Sequence, residues 1–112
     1  MFAAALVLAA GSAAVSLPAS ARPQVDAGSA DWVMRGCRTY LAGKTLGFEE
    51  GVCAGMVRGV LVLAPEVCSP PVTMGQAVRV VAAYIEARPA RHHESFTVLT
   101  LEALRSAWPC PR

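Results

Sequence analysis

Residues 48–63, FEEGVCAGMVRGVLVL, decide the fold class. Two readings compete over them. The run Val60 to Leu63 gathers β-branched residues, which favours a strand. Across the whole stretch, Phe48, Val52, Met56, Val60 and Leu63 recur at spacings of three and four, the period of a helix. Glu49 and Glu50 fall in the first turn, where the helix dipole favours negative charge. Pro65 closes the stretch. The longer periodic pattern outweighs the short β-prone run, so the reading is helix.

Upstream, a first helix is expected from about Ser29 or Asp31 to Ala42, with Val33, Cys37, Tyr40 and Leu41 at helical spacing and Gly43 as its stop. Downstream, Cys68-Ser69-Pro70-Pro71 reads as a rigid loop. Thr73 and Gln76 form a capping box that opens a third helix, with Val78, Val81, Ala82 and Ile85 on its buried face and Pro89 at its end. Arg91-His92-His93-Glu94 is a polar connection. Ser95 caps a fourth helix whose apolar set is Phe96, Leu99, Ala103, Leu104 and Ala107. The chain shows no period-2 alternation of strand length and no internal repeat. An all-α, four-helix domain with short connections follows, and sequential helices are expected to pack antiparallel.

The N-terminus is of another kind. Met1 to about Val15 is nearly all Ala, Leu, Val and Phe, Pro18 then breaks any helix, and Ala19-Ser20-Ala21 offers the small residues of a cleavage site. A membrane anchor is the rival reading, but the stretch is short for a span and Gly11, Ser12 and Ser16 dilute it. The expected organisation is a signal peptide at 1–21, a mobile lead-in at 22–28 and one helical domain at 29–112. No membrane association is expected after cleavage.

Export would deliver four cysteines, Cys37, Cys53, Cys68 and Cys110, to an oxidising compartment, where an even number favours disulfides. In antiparallel neighbours, Cys37 near the end of the first helix faces Cys53 near the start of the second. Cys68, just before the third helix, lies near Cys110, just after the fourth. The expected pairs are therefore Cys37–Cys53 and Cys68–Cys110. Chain entropy values the first at roughly 3 kcal/mol and the second, which closes the longer loop, at about 4. So small a domain needs such supplements to its core.

Gly47, Gly51, Gly55 and Gly59 recur every four residues and make a smooth strip along the second helix. Each interior glycine costs about 0.8–1 kcal/mol against alanine, so a compensating gain is expected. The plainer expectation is close packing of Gly51, Gly55 and Gly59 against the first helix. The sharper one is a homodimer face. A membrane-helix reading fails because Glu49, Glu50 and Arg58 share the segment.

Ten basic and eight acidic residues give a net charge of +2, spread along the chain, which excludes a nucleic-acid footprint. Nucleophile-elbow, zinc-protease and phosphate-loop motifs are missing, and the adjacent Glu49 and Glu50 point different ways on a helix. Catalysis and cofactor binding are not expected. His92 and His93 are read as surface residues, with metal handling as the minor alternative.

The ordered pieces of this chain resemble the Rap/Tai family of immunity proteins. They are Cys53-Ala54-Gly55 with Gly59; Cys68-Ser69-Pro70 with Val72-Thr73 and Gln76; Tyr84-Ile85 with Arg88-Pro89; then Ala103-Leu104 and Ala107-Trp108-Pro109-Cys110. Met56 stands where an aromatic residue is usual, and Trp108 where Phe is usual. The resemblance implies a periplasmic protein that blocks the cleft of a peptidoglycan amidase toxin delivered by type VI secretion and does no chemistry itself. The alternative is a general periplasmic structural or stress protein with no dedicated toxin. The expected contact is the loop of Arg91, His92 and His93, with Ser69-Pro70-Pro71 as the other candidate.

Overall fold

The computed structural model describes Ala3, Ala4, Gly11, residues 28–44 and residues 47–112. The expected signal peptide at 1–21 and lead-in at 22–28 lie almost wholly outside the described residues. The helices are α1 (Ala30–Leu41), α2 (Phe48–Leu63), α3 (Met74–Glu86) and α4 (Phe96–Ala107), with a 3-10 turn at Pro89–Arg91 between the last two. The described residues contain no strand, only two isolated bridges, Ser29 to Ser95 and Val67 to Pro109. Residues 60–63 are helical, as the longer period required.

Local chemistry sets most boundaries. Ser29 Oγ accepts from Trp32 N at 3.3 Å and opens α1. Gly43, at φ 72°, takes the left-handed conformation that ends it. There Gly43 N donates to Tyr40 O, and Lys44 N to Thr39 O, the paired bonds of a Schellman close. Thr73 and Gln76 cap α3 reciprocally at 3.1 and 2.9 Å. At α2 only half of a capping box exists: Gly47 has no side chain to offer, but its N–H donates to the Glu50 carboxylate. That bond accounts for Glu50 being the buried acid of the domain.

All four helices touch one another, α1 with α2 most extensively and α3 with α4 next. Their shared core holds Val33, Met34, Val57, Val78, Val81, Ile85, Phe96, Leu99 and Leu104, all essentially inaccessible to water. Both disulfides form as the antiparallel order implies: Cys37–Cys53 joins α1 to α2, and Cys68–Cys110 joins the loop before α3 to the segment after α4.

Two apolar sets prove only partly buried, and one expectation fails. The apolar stripe of α2 meets the core only in its middle, where Val52, Met56 and Val60 pack partly buried against it. Cys53 and Val57 are buried, whereas Phe48 and Leu63 stand outward, 78% and 80% exposed. Ala107, counted with the apolar set of α4, is also exposed. The close packing expected of Gly51, Gly55 and Gly59 is absent, because a β-carbon at any of them would meet nothing within 4 Å among the described residues. The glycine that does carry a helix contact is Gly36 in α1, where a β-carbon would overlap the backbone of Glu49. α1 and α2 approach most closely there, beside the Cys37–Cys53 bond.

Candidate functional site

α2 is apolar on two opposite sides, and the core can cover only one. Cys53 and Val57 take the inner side. The outer side presents Phe48, Gly55, Gly59, Val62 and Leu63, which helical spacing places on one face, and Val62 is 67% exposed. The face continues into a groove of about 580 Å³ between α2 and α4. Met56, Val60 and Leu63 line one wall, Val98 and Leu101 the other, and Glu66 lies at the end. Val98, half exposed, extends the apolar surface onto α4. Contiguous exposed apolar surface on a small domain marks a place where another molecule sits. Burying a side chain such as Phe48 or Leu63 contributes roughly 1.5–3 kcal/mol.

The end of the groove is tied down. The β-bridge between Val67 and Pro109, with Cys68 N donating to Trp108 O at 2.9 Å, stitches the segment after α2 to the end of α4. The Cys68–Cys110 bond makes that junction covalent.

The connection between α3 and α4 is organised from within. Arg91 grips two carboxylates at once. Its Nε and Nη2 donate to Glu94 at 2.6 and 2.8 Å. Its Nη1 and Nη2 donate to Glu102 at 2.8 and 3.0 Å. Tyr84 Oη donates to the same Glu102 oxygen as Nη1, at 3.0 Å. Arg88 stacks 3.5 Å over the Tyr84 ring and donates to the Tyr84 carbonyl. The bonds from Arg91 hold the Glu94 carboxyl below its ordinary range, and bonds from Arg91 and then Tyr84 do the same for Glu102. Those carboxylates in turn push the Arg91 guanidinium up.

His92 is likewise committed to the fold. Its Nε2 lies 2.8 Å from Ile85 O, and since a carbonyl only accepts, Nε2 carries the proton. Its own carbonyl accepts from Asp31 N at 2.8 Å. Of the loop residues Arg91, His92 and His93, only His93 is exposed. The loop is thus an internal clamp in which Arg91 and His92 are already engaged. Sequence reasoning found the apolar stripe and the glycine strip of α2 without fixing which side the core covers. The compositional signal was there, since α2 carries more apolar residues than one buried face can use.

No three His, Cys, Asp or Glu side chains gather as metal ligands among the described residues. No helix among them is long and apolar enough to cross a membrane.

Comparison with curated proteins and with solved structures finds no match. A family model for Rap1a immunity proteins matches residues 14–110. That span takes in all four helices, both disulfides, the outer face of α2 and the Arg91 clamp. The chain belongs to the Rap1a immunity protein family.

Proposed function

We propose that this chain is a periplasmic immunity protein that binds and sterically inhibits a peptidoglycan amidase toxin of type VI secretion. It would be exported by a signal peptide cleaved after Ala21. The single observation that carries the binding reading is the apolar face, unpaired among the described residues, formed by the outside of α2 and the α2–α4 groove, on a chain of an immunity family. Inhibition then needs no chemistry from this protein. A rigid apolar surface seated against the toxin's cleft keeps the peptide substrate out.

The face suits that task. Phe48, Val62 and Leu63 supply anchors that would be desolvated at the centre of a contact. Gly51, Gly55 and Gly59 lie on the open side of α2, so a partner backbone can approach closely. Arg91 and His92 are occupied internally, so the contact moves from their loop to α2. Pairing of two copies through the same face is the competing occupant, and sedimentation of the free protein distinguishes it.

Pull-down from a periplasmic extract with residues 22–112 as bait tests the reading. Capture of a protein with amidase activity on cell-wall peptides is expected. Capture that persists unchanged with Leu63→Asp would place the contact elsewhere. Failure to capture or inhibit any amidase encoded beside this gene would contradict the immunity role and favour a general periplasmic structural protein.

A further inference from the structure

The two disulfides differ in their access to water. Cys37 and Cys53 are completely buried between α1 and α2. Cys68 is exposed and Cys110 partly so. A thiolate must reach a sulfur to exchange with it, so accessible bonds open first. The accessible bond is also the one that fastens the groove. Cys68 and Cys110 join the segment that follows Leu63 to the segment that follows α4, and Cys110 Sγ sits 3.4 Å from the carbonyl of Pro65. Ala64 and Glu66, in that same segment, line the groove.

We propose that Cys68–Cys110 is a reducible clamp on the α2–α4 groove, opened by a dithiol reductant while Cys37–Cys53 stays closed. One thiolate of the dithiol bonds to Cys68 Sγ as the Cys68–Cys110 bond breaks, and Cys110 leaves as a thiolate that takes up a proton. The second thiolate then attacks the mixed disulfide and releases Cys68. Two electrons pass to the cysteine pair, and the dithiol ends as a disulfide. Residues 64–68 are then held to the end of α4 by the Val67–Pro109 bridge and the Cys68–Trp108 hydrogen bond. Such backbone contacts open locally far more readily than a covalent link. The groove end loosens while the core, held by Cys37–Cys53, persists. As a control on partner binding, the clamp rests on the reading of the α2–α4 face as the toxin contact.

Dithiothreitol treatment of the native protein without denaturant, followed by alkylation and peptide mapping, is the test. Cys68 and Cys110 should be labelled at least ~10-fold faster than Cys37 and Cys53. The far-ultraviolet dichroism should be unchanged in the singly reduced species. Amide exchange over residues 60–68 should accelerate by ~10-fold or more, and these amides should exchange well before those of α1. The double variant Cys68→Ser with Cys110→Ser should reproduce that exchange without reductant. Equal labelling of both pairs, loss of helix on opening Cys68–Cys110, or unchanged exchange over 60–68 would each overturn the clamp. Exchange is read without toxin, so it stands apart from the immunity reading. A toxin that bound the selectively reduced protein as tightly as the oxidised one would overturn the control on binding.

Discussion

The backbone of Glu49 in α2 lies directly against Gly36 in α1, so closely that a β-carbon on Gly36 would overlap the Glu49 carbonyl and sit 3.1 Å from Glu50 N. A helix backbone cannot yield as a flexible side chain can, and the Cys37–Cys53 bond next to it fixes the spacing. Gly36→Ala should therefore destabilise by about 1–3 kcal/mol, as overpacking does. Gly55→Ala should act in the opposite sense. Its β-carbon enters open space, and the gain in helix propensity is up to ~0.8–1 kcal/mol. Urea denaturation of both variants checks the pair of signs.

The outward side chains of α2 should matter for binding and little for folding. Leu63→Asp removes an 80% exposed side chain, so stability should stay within about 0.5 kcal/mol of the parent. Partner affinity should fall at least ~30-fold, the scale of a central anchor. Calorimetric titration with the captured partner, beside a thermal melt, reads both.

The Arg91 clamp gives stability a dependence on pH. Glu94 and Glu102 both titrate below the ordinary value of 4.5, so their contribution is present above that pH and is lost as acid protonates them in the folded state. Glu102→Gln should therefore lower the unfolding midpoint at pH 7. The gap between parent and variant should narrow as the pH falls below the ordinary carboxylate value. The side chains are about one-quarter to one-third exposed, so water screens part of the effect. Arg91→Ala should lower the midpoint at pH 7 as well, since it removes the guanidinium bonds from both carboxylates and leaves Glu102 with the Tyr84 hydroxyl. A gap of constant size from pH 7 to pH 3 would contradict this account.

Thr100 is fully buried in α4, and its hydroxyl oxygen finds no hydrogen-bond partner among the described residues. Thr100→Val keeps the branched shape and removes the orphaned polar atom. It should stabilise by about 1 kcal/mol, the lower end of the cost of an unsatisfied buried group. A destabilised variant by urea titration would mean that a water satisfies the hydroxyl.

What the sequence made legible was local or topological. Thr73 and Gln76 lie within one turn, so their capping box reads directly from spacing. The pairing of Cys37 with Cys53 followed from the antiparallel order of neighbouring helices, and that of Cys68 with Cys110 from the same logic one hairpin later. The orientation of α2 was not legible. With Cys53 and Val57 on one side and Phe48, Val62 and Leu63 on the other, periodicity identifies a helix without choosing its buried face. Packing of the glycine row against α1 failed for that reason, since spacing says that one strip is smooth but not which way it points; an outward strip leaves the alternative of an interface between copies open. Gly36 could have been found as a glycine inside a helical pattern beside a cysteine. Arg91 could be paired with Glu94 by spacing, but its other carboxylate, Glu102, lies on the next helix and needed the fold.

Inhibition of cell-wall hydrolysis tests the central claim most directly. Purified peptidoglycan would be digested by any amidase found encoded beside this gene, with increasing amounts of residues 22–112 or of the Leu63→Asp variant. The account predicts stoichiometric loss of amidase activity with the parent chain and much weaker inhibition with the variant, at unchanged melting temperature. Full hydrolysis in the presence of excess parent chain would contradict the immunity role, and equal inhibition by the two proteins would contradict the α2 face as its site.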